Sequence, residues 1–140
     1  MDDHNATVCE LRRIVDDFVA AREWRRFHDP KNLACSILIE AGELMEHFQW
    51  LRTDELAAVR HDDRRMAAIR EELADVFAYV LSFAEAMGVD LTQALVDKIR
   101  KNELKYPVEE YRGRYGKDDA APPYEDDPNL ARRREEPRGA

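Results

Sequence analysis

Four acids stand out by type and spacing. Glu40 and Glu43 are three residues apart, and so are Glu72 and Asp75. In a helix that interval sets both carboxylates on one face. Taken singly, such a pair is most often an ordinary solvated face. Two pairs on neighbouring helices are different, because side by side they would gather four carboxylates around one small volume. Acids gathered in a protected cleft repel each other and are costly to desolvate unless a cation joins them. An all-carboxylate set suits a hard cation, Mg²⁺ or Mn²⁺. A di-iron bundle would want a histidine three residues after a glutamate. Here His47 follows Glu43 by four and Glu46 by one. Mg²⁺ leaves positions open for water and phosphate oxygens. With Lys98 and Asn102 on the next helix, phosphate-ester chemistry is the expectation. Nucleophilic catalysis has little support. Ser36 lacks a base with an orienting partner, and Cys9 and Cys35 read as small core residues.

The elements that must position these acids read as helices. Thr7 and Glu10 form a capping-box pattern, followed by Val8, Leu11, Val15 and Phe18 at helical spacing to about residue 24. Asp29 is placed to cap a second helix with Pro30 in its first turn, running to about residue 51. Leu33, Ile37, Leu44, Phe48 and Leu51 make its apolar stripe, and Glu40 borders it. A short helical or loop segment follows from Thr53. The third helix spans about residues 65–87 and closes at Gly88. Its Val76 to Ala84 stretch is apolar on nearly every face, which predicts a central buried helix. Glu72, Asp75, Tyr79 and Phe83 share a stripe leading inward. Asp90 and Gln93 predict a cap for a fourth helix, about residues 91–106, ended by Pro107. No strand pattern, repeat or glycine-rich phosphate loop occurs. The expected fold class is all-α, a four-helix bundle.

The 140 residues suffice for one domain. The net charge of −8 argues against nucleic-acid binding through a basic surface. From Tyr111 onward seven basic and seven acidic residues cancel, so residues 1–110 carry the whole charge and form the expected catalytic domain. Five of the six prolines lie from Pro107 onward, and residues 111–140 read as a disordered, dispensable tail. No stretch approaches the roughly 20 apolar residues of a membrane span. The acidic N-terminus lacks a signal-peptide run, and the two cysteines suggest no disulfide framework. A cytoplasmic location is the expectation.

Several separated motifs now coincide. They are Trp24…Phe27-His28-x-Pro30-x-Asn32-Leu33, then Glu40-x-Gly42-Glu43-Leu44…Phe48-Gln49-Trp50. After them come Glu71-Glu72-Leu73-Ala74-Asp75-Val76…Tyr79 and Lys98…Asn102…Lys105-Tyr106-Pro107. This order resembles the MazG-like all-α nucleoside triphosphate pyrophosphohydrolases, most nearly the dCTP pyrophosphatase branch. Ile39 stands where the superfamily pattern has its first glutamate, which suits that branch better than MazG itself. Val15 stands where the animal members carry a polar residue, which loosens the inference to strict dCTP preference.

The resemblance implies that Glu40, Glu43, Glu72 and Asp75 hold Mg²⁺ and serve catalysis, with water attacking the α-phosphate. Products would be a nucleoside monophosphate and pyrophosphate. Lys98, Asn102 and Tyr106 would contact phosphates or sugar. Trp24, Trp50 and Tyr79 would line the nucleoside pocket, with His28 nearby. A homodimer or homotetramer with sites between subunits is implied as well. Within the same chemistry, an all-α dUTPase or a phosphoribosyl-ATP pyrophosphohydrolase is the alternative. From another class, the rival is a non-catalytic helical protein that binds metal or nucleotide without turnover.

Overall fold

The computed structural model describes residues 1–114 together with Gly116 and Asp118. Helices account for every regular element among them, as the apolar periodicity predicts. In chain order these are α1 (Val8–Ala20), a 3₁₀ turn (Trp24–Phe27), α2 (Pro30–Glu46), a second 3₁₀ turn (Thr53–Glu55), α3 (Leu56–Val59), α4 (Asp63–Met87), α5 (Leu91–Lys105) and α6 (Val108–Tyr111). The chain divides into two compact units, one ending at Ala94 and the other starting at Leu95.

The helix starts follow the capping chemistry in the sequence. The Glu10 amide donates to Thr7 Oγ1 at 3.2 Å, and the Thr7 amide donates to Glu10 Oε2 at 2.8 Å, the reciprocal pair of a capping box. The Asn32 amide donates to Asp29 Oδ1 at 3.0 Å and the Asn32 side chain to the Phe27 carbonyl at 3.1 Å. Asp62 caps α4 through the Arg65 amide at 3.0 Å, and Asp90 caps α5 through the Gln93 amide at 2.9 Å. At the far end of α4, Gly88 takes φ 63° and the Val89 amide reaches back to the Ala84 carbonyl at 2.8 Å. Only glycine occupies that left-handed position without steric cost.

Two helices stop sooner than their periodicity predicts. α1 ends at Ala20 because Glu23 turns left-handed, at φ 56°, and residues 24–27 wind as 3₁₀. α2 ends at Glu46, and the Phe48 amide returns only three residues, to the Met45 carbonyl. The next residues, His47-Phe48-Gln49-Trp50, include ring side chains that lose rotamer freedom in a helix, so little propensity opposes the tighter turn.

In the first unit, α2 and α4 make the most extensive helix pair and α1 packs on α4. Val19, Leu33, Val59, Ile69, Leu81 and Ala84 are the buried apolar residues. α3, unremarkable in sequence, contributes Val59. Three expectations about burial need correction. α4 is not enclosed on all sides, since Leu73 and Phe77 are exposed. Phe48 lies at the solvent edge of the α2 stripe rather than inside it. Cys9 and Cys35 are exposed thiols, not core residues. Phe48 and Leu51, expected on the second helix, follow its end at Glu46, and one chain has too few helix faces to cover the remaining apolar side chains.

In the second unit, the Tyr106 and Tyr111 rings meet edge to face at 5.2 Å, and Lys105 Nζ lies 5.1 Å from the Tyr106 ring centre. Residue 110, the end of the expected catalytic domain, lies within α6. Most of the expected tail, beyond residue 114, lies outside the described residues.

Candidate active site

α2 contributes Glu40 and Glu43, and α4 contributes Glu72. One carboxylate oxygen from each lies within 4.8 Å of the other two. Two ligands on opposite sides of a single Mg²⁺ stand about 4.2 Å apart. Small side-chain movements thus separate this triangle from a coordination sphere. Glu40 and Glu72 are half-buried and Glu43 is exposed. Asp75, exposed one turn along α4, lies outside the triangle but within electrostatic reach of Glu40.

The Glu40 carboxyl is held above its ordinary range. Burial is the main cause, followed by the charges of Glu43, Asp75 and Glu72. Among the described residues, none of the four acids has an ion-pair partner. A half-buried acid facing three uncompensated acids fits a hard divalent cation and would be strained without one. The donor set is all oxygen, matching Mg²⁺ or Mn²⁺.

The aromatic candidates occupy different places. Tyr79, one turn beyond Asp75, is half-buried, with its ring 6.5 Å from that of His28. His28 follows the first 3₁₀ turn and is half-buried. Trp24 opens that turn and meets Phe18 edge-on at 5.9 Å, while the Arg22 guanidinium stacks 3.6 Å above the Phe18 ring. Trp50 is 86% exposed in the turns after α2. Lys98 and Asn102 lie on α5, and Tyr106 just follows it; all three belong to the second unit.

A cavity of about 450 Å³ opens between α1, the first 3₁₀ turn and α4. His28 is the expected site residue that lines it. Val15, Val19 and Leu81 supply apolar wall, and Asp16, Arg25 and Ser82 supply polar groups. Sequence reading passed over Asp16 and Arg25. Asp16 carried a usable signal, since it sits beside Val15 and one helical turn before Val19. Arg25 carried none, because its approach to α1 depends on the left-handed turn at Glu23. Along α4, Asp75 and Ser82 are seven residues apart, about 10 Å by helical rise, so the acids and the cavity occupy successive stretches of one helix.

Sequence and structure comparisons identify the family. The chain is 39% identical over 107 residues to dCTP pyrophosphatase 1 of Bos taurus, covering 76% of the chain and 63% of that relative. It is 38% identical over 102 residues to dCTP pyrophosphatase 1 of Homo sapiens, covering 73% of the chain and 60% of that relative. The chain thus spans rather less than two thirds of these relatives' length. A solved pyrophosphatase from Archaeoglobus fulgidus superposes with TM-score 0.67 at 38% identity, covering 76% of this chain and 98% of that one. Residues 35–117 match the MazG-like family. With that match starting within α2, running past α6 and including Glu40, Glu43 and Glu72, the chain belongs to the MazG-like family.

Proposed function

We propose that this protein is a Mg²⁺-dependent nucleotide pyrophosphohydrolase. It cleaves nucleoside or deoxynucleoside triphosphates, dCTP among them, to the monophosphate and pyrophosphate. The observation that carries this reading is the triangle of Glu40, Glu43 and Glu72, with oxygens within 4.8 Å and no cationic partner among the described residues. Relatives named dCTP pyrophosphatase support the substrate class. Bound there, Mg²⁺ would draw in the triphosphate oxygens and neutralise charge developing at the α-phosphate. The three glutamates, with Asp75 beside them, hold that charge in place. Lys98, Asn102 and Tyr106 are assigned to phosphate or sugar. His28, Tyr79 and the cavity beside them are assigned to the base, with Trp24 and Trp50 as stacking faces.

A homodimer or homotetramer belongs to this reading. Leu38, Leu73, Phe77 and Trp50 are exposed on a single chain, and this reading assigns them to contact with a second copy. The proposed location is the cytoplasm; among the described residues no helix is long and apolar enough to cross a membrane.

The deciding experiment is a panel of nucleoside triphosphates with Mg²⁺, following pyrophosphate and monophosphate. Release of orthophosphate in place of pyrophosphate would reject attack at the α-phosphate. Absence of turnover with every nucleotide would favour a binding protein instead. In the same assay, Trp50→Ala is expected to raise KM about tenfold, the loss of one base–aromatic stack of about 1–3 kcal/mol. Unchanged kinetics with altered elution on size exclusion would return Trp50 to an interface role.

A further inference from the structure

We propose that Asp16 and Arg25 act as one specificity device, in which Asp16 clamps the Arg25 guanidinium so that its free edge reads a carbonyl-bearing base in the α1–α4 cavity. This rests on the nucleotide reading above and goes beyond it by naming the group that selects the base.

The cavity's charges balance. Two arginines, Arg12 and Arg25, line it with two acids, Asp16 and Glu85. An apolar wall with balanced charge suits a neutral, flat heterocycle better than a phosphate, which the acids would repel. The two arginines are differently committed. Arg12 donates to the Val89 carbonyl at 3.0 Å and to Glu85 at 3.4 Å, tying α1 to the end of α4. Arg25 donates Nε to Asp16 Oδ1 at 3.1 Å and Nη2 to Asp16 Oδ2. That is the two-pronged guanidinium–carboxylate match, which fixes the plane of the fork. Arg25 Nη1 has no hydrogen-bond partner among the described residues. Its N–H donors remain for an acceptor brought into the cavity.

The pair's value lies in geometry more than in stability. Arg25 and Asp16 side chains are 64% and 34% exposed, and ion pairs that open to water add little to folding. What the clamp does is hold a donor edge at one wall of a cavity on an otherwise irregular turn. Arginine donors pair with carbonyl and ring-nitrogen acceptors on base edges. Cytosine, uracil, thymine and guanine each carry a carbonyl oxygen, with two lone pairs to accept the N–H donors of Nη1. Adenine offers only ring nitrogens with one lone pair each, and its N1 and N7 sit beside the amino donor, which opposes an arginine N–H. A site built around a donor rejects a base that leaves the donor unpaired more strongly than an apolar pocket rejects a misfit. The chemical class selected is therefore the carbonyl-bearing bases.

The test compares wild type, Arg25→Met, Asp16→Asn and the exchanged pair Asp16→Arg with Arg25→Asp, each with dCTP and dATP, alongside thermal melts. Wild type is expected to favour dCTP. Arg25→Met should cut the dCTP over dATP ratio of kcat/KM about tenfold or more, the loss of one hydrogen bond to a charged donor. The change should lie in KM, with kcat within about threefold and Tm nearly unchanged. Asp16→Asn keeps the side chain's size but loosens the clamp, so it should lower the ratio in the same direction and by less. The exchanged pair should restore the ion pair, with Tm again close to wild type, but not the selectivity. Recovery of selectivity by the exchange would show a mere tether between α1 and the turn, and would overturn the inference. So would a wild type indifferent between the two nucleotides, or an unaltered ratio in Arg25→Met. Those results leave pyrophosphate release by wild type intact, whereas loss of all wild-type turnover would sink the nucleotide reading itself.

Discussion

Glu72→Gln is expected to abolish both the stabilising response to Mg²⁺ and turnover, while leaving the metal-free protein as stable as wild type or more so. Glutamine keeps the size of glutamate and loses its charge. Glu72 is one of the three acids that raise the Glu40 pKa, after burial, which is the main cause. A carboxyl whose folded pKa lies above its unfolded value costs stability once it ionises. The cost is fully present above the folded pKa and disappears as pH falls below the unfolded one. At neutral pH wild type therefore carries repulsion that the variant partly loses. With a metal present the ranking reverses. A cation binding only the folded site at about 100 times its Kd adds about 2.7 kcal/mol of stability, and the variant forfeits most of it. Metal charge stabilisation in a transition state amounts to several kcal/mol, so turnover should drop at least about 100-fold. Melts of both proteins in Mg²⁺ and in EDTA, beside a pyrophosphate assay, decide the matter. Retained Mg²⁺ stabilisation together with full activity would show a solvated glutamate and remove the metal centre.

Leu33→Ala is expected to cost about 3–5 kcal/mol of folding free energy, the range for emptying a well-packed leucine site. Leu33 is 1% exposed, in the first turn of α2, the helix that carries Glu40 and Glu43. The loss should appear as a fall in Tm of more than about 10 °C. Leu38, on the same helix, is 76% exposed and provides the control. In an isolated chain Leu38→Ala should shift stability by less than about 0.5 kcal/mol. If Leu38 lies under a second copy, its truncation should lower the association constant seen by sedimentation while Leu33→Ala lowers the melt at every concentration. A mild effect at Leu33 would mean that the α2–α4 packing is not what supports the acids.

Much of this protein was legible in one dimension because the relevant rules are local. Capping needs an acceptor side chain three residues from a free amide, so Thr7, Asp29 and Asp90 announced their helices. Glycine alone suits the left-handed close at residue 88. Spacing of three put Glu40 with Glu43 on one face and Glu72 with Asp75 on another.

Other features depend on where elements meet, and sequence periodicity carries no such information. The tertiary structure decided that Glu72 joins Glu40 and Glu43 in the triangle while Asp75 stands just outside it, because α2 and α4 pack at one particular register. It decided that Arg25 returns to Asp16, because a single left-handed residue, Glu23, redirects the chain after α1. It also decided which apolar faces remain uncovered. A stripe of Leu, Phe and Val states that a helix face is apolar, but not whether that face meets another helix of the same chain. Leu33 and Leu38 are the same residue on the same helix, and only packing distinguishes the one sealed in the core from the one left facing outward.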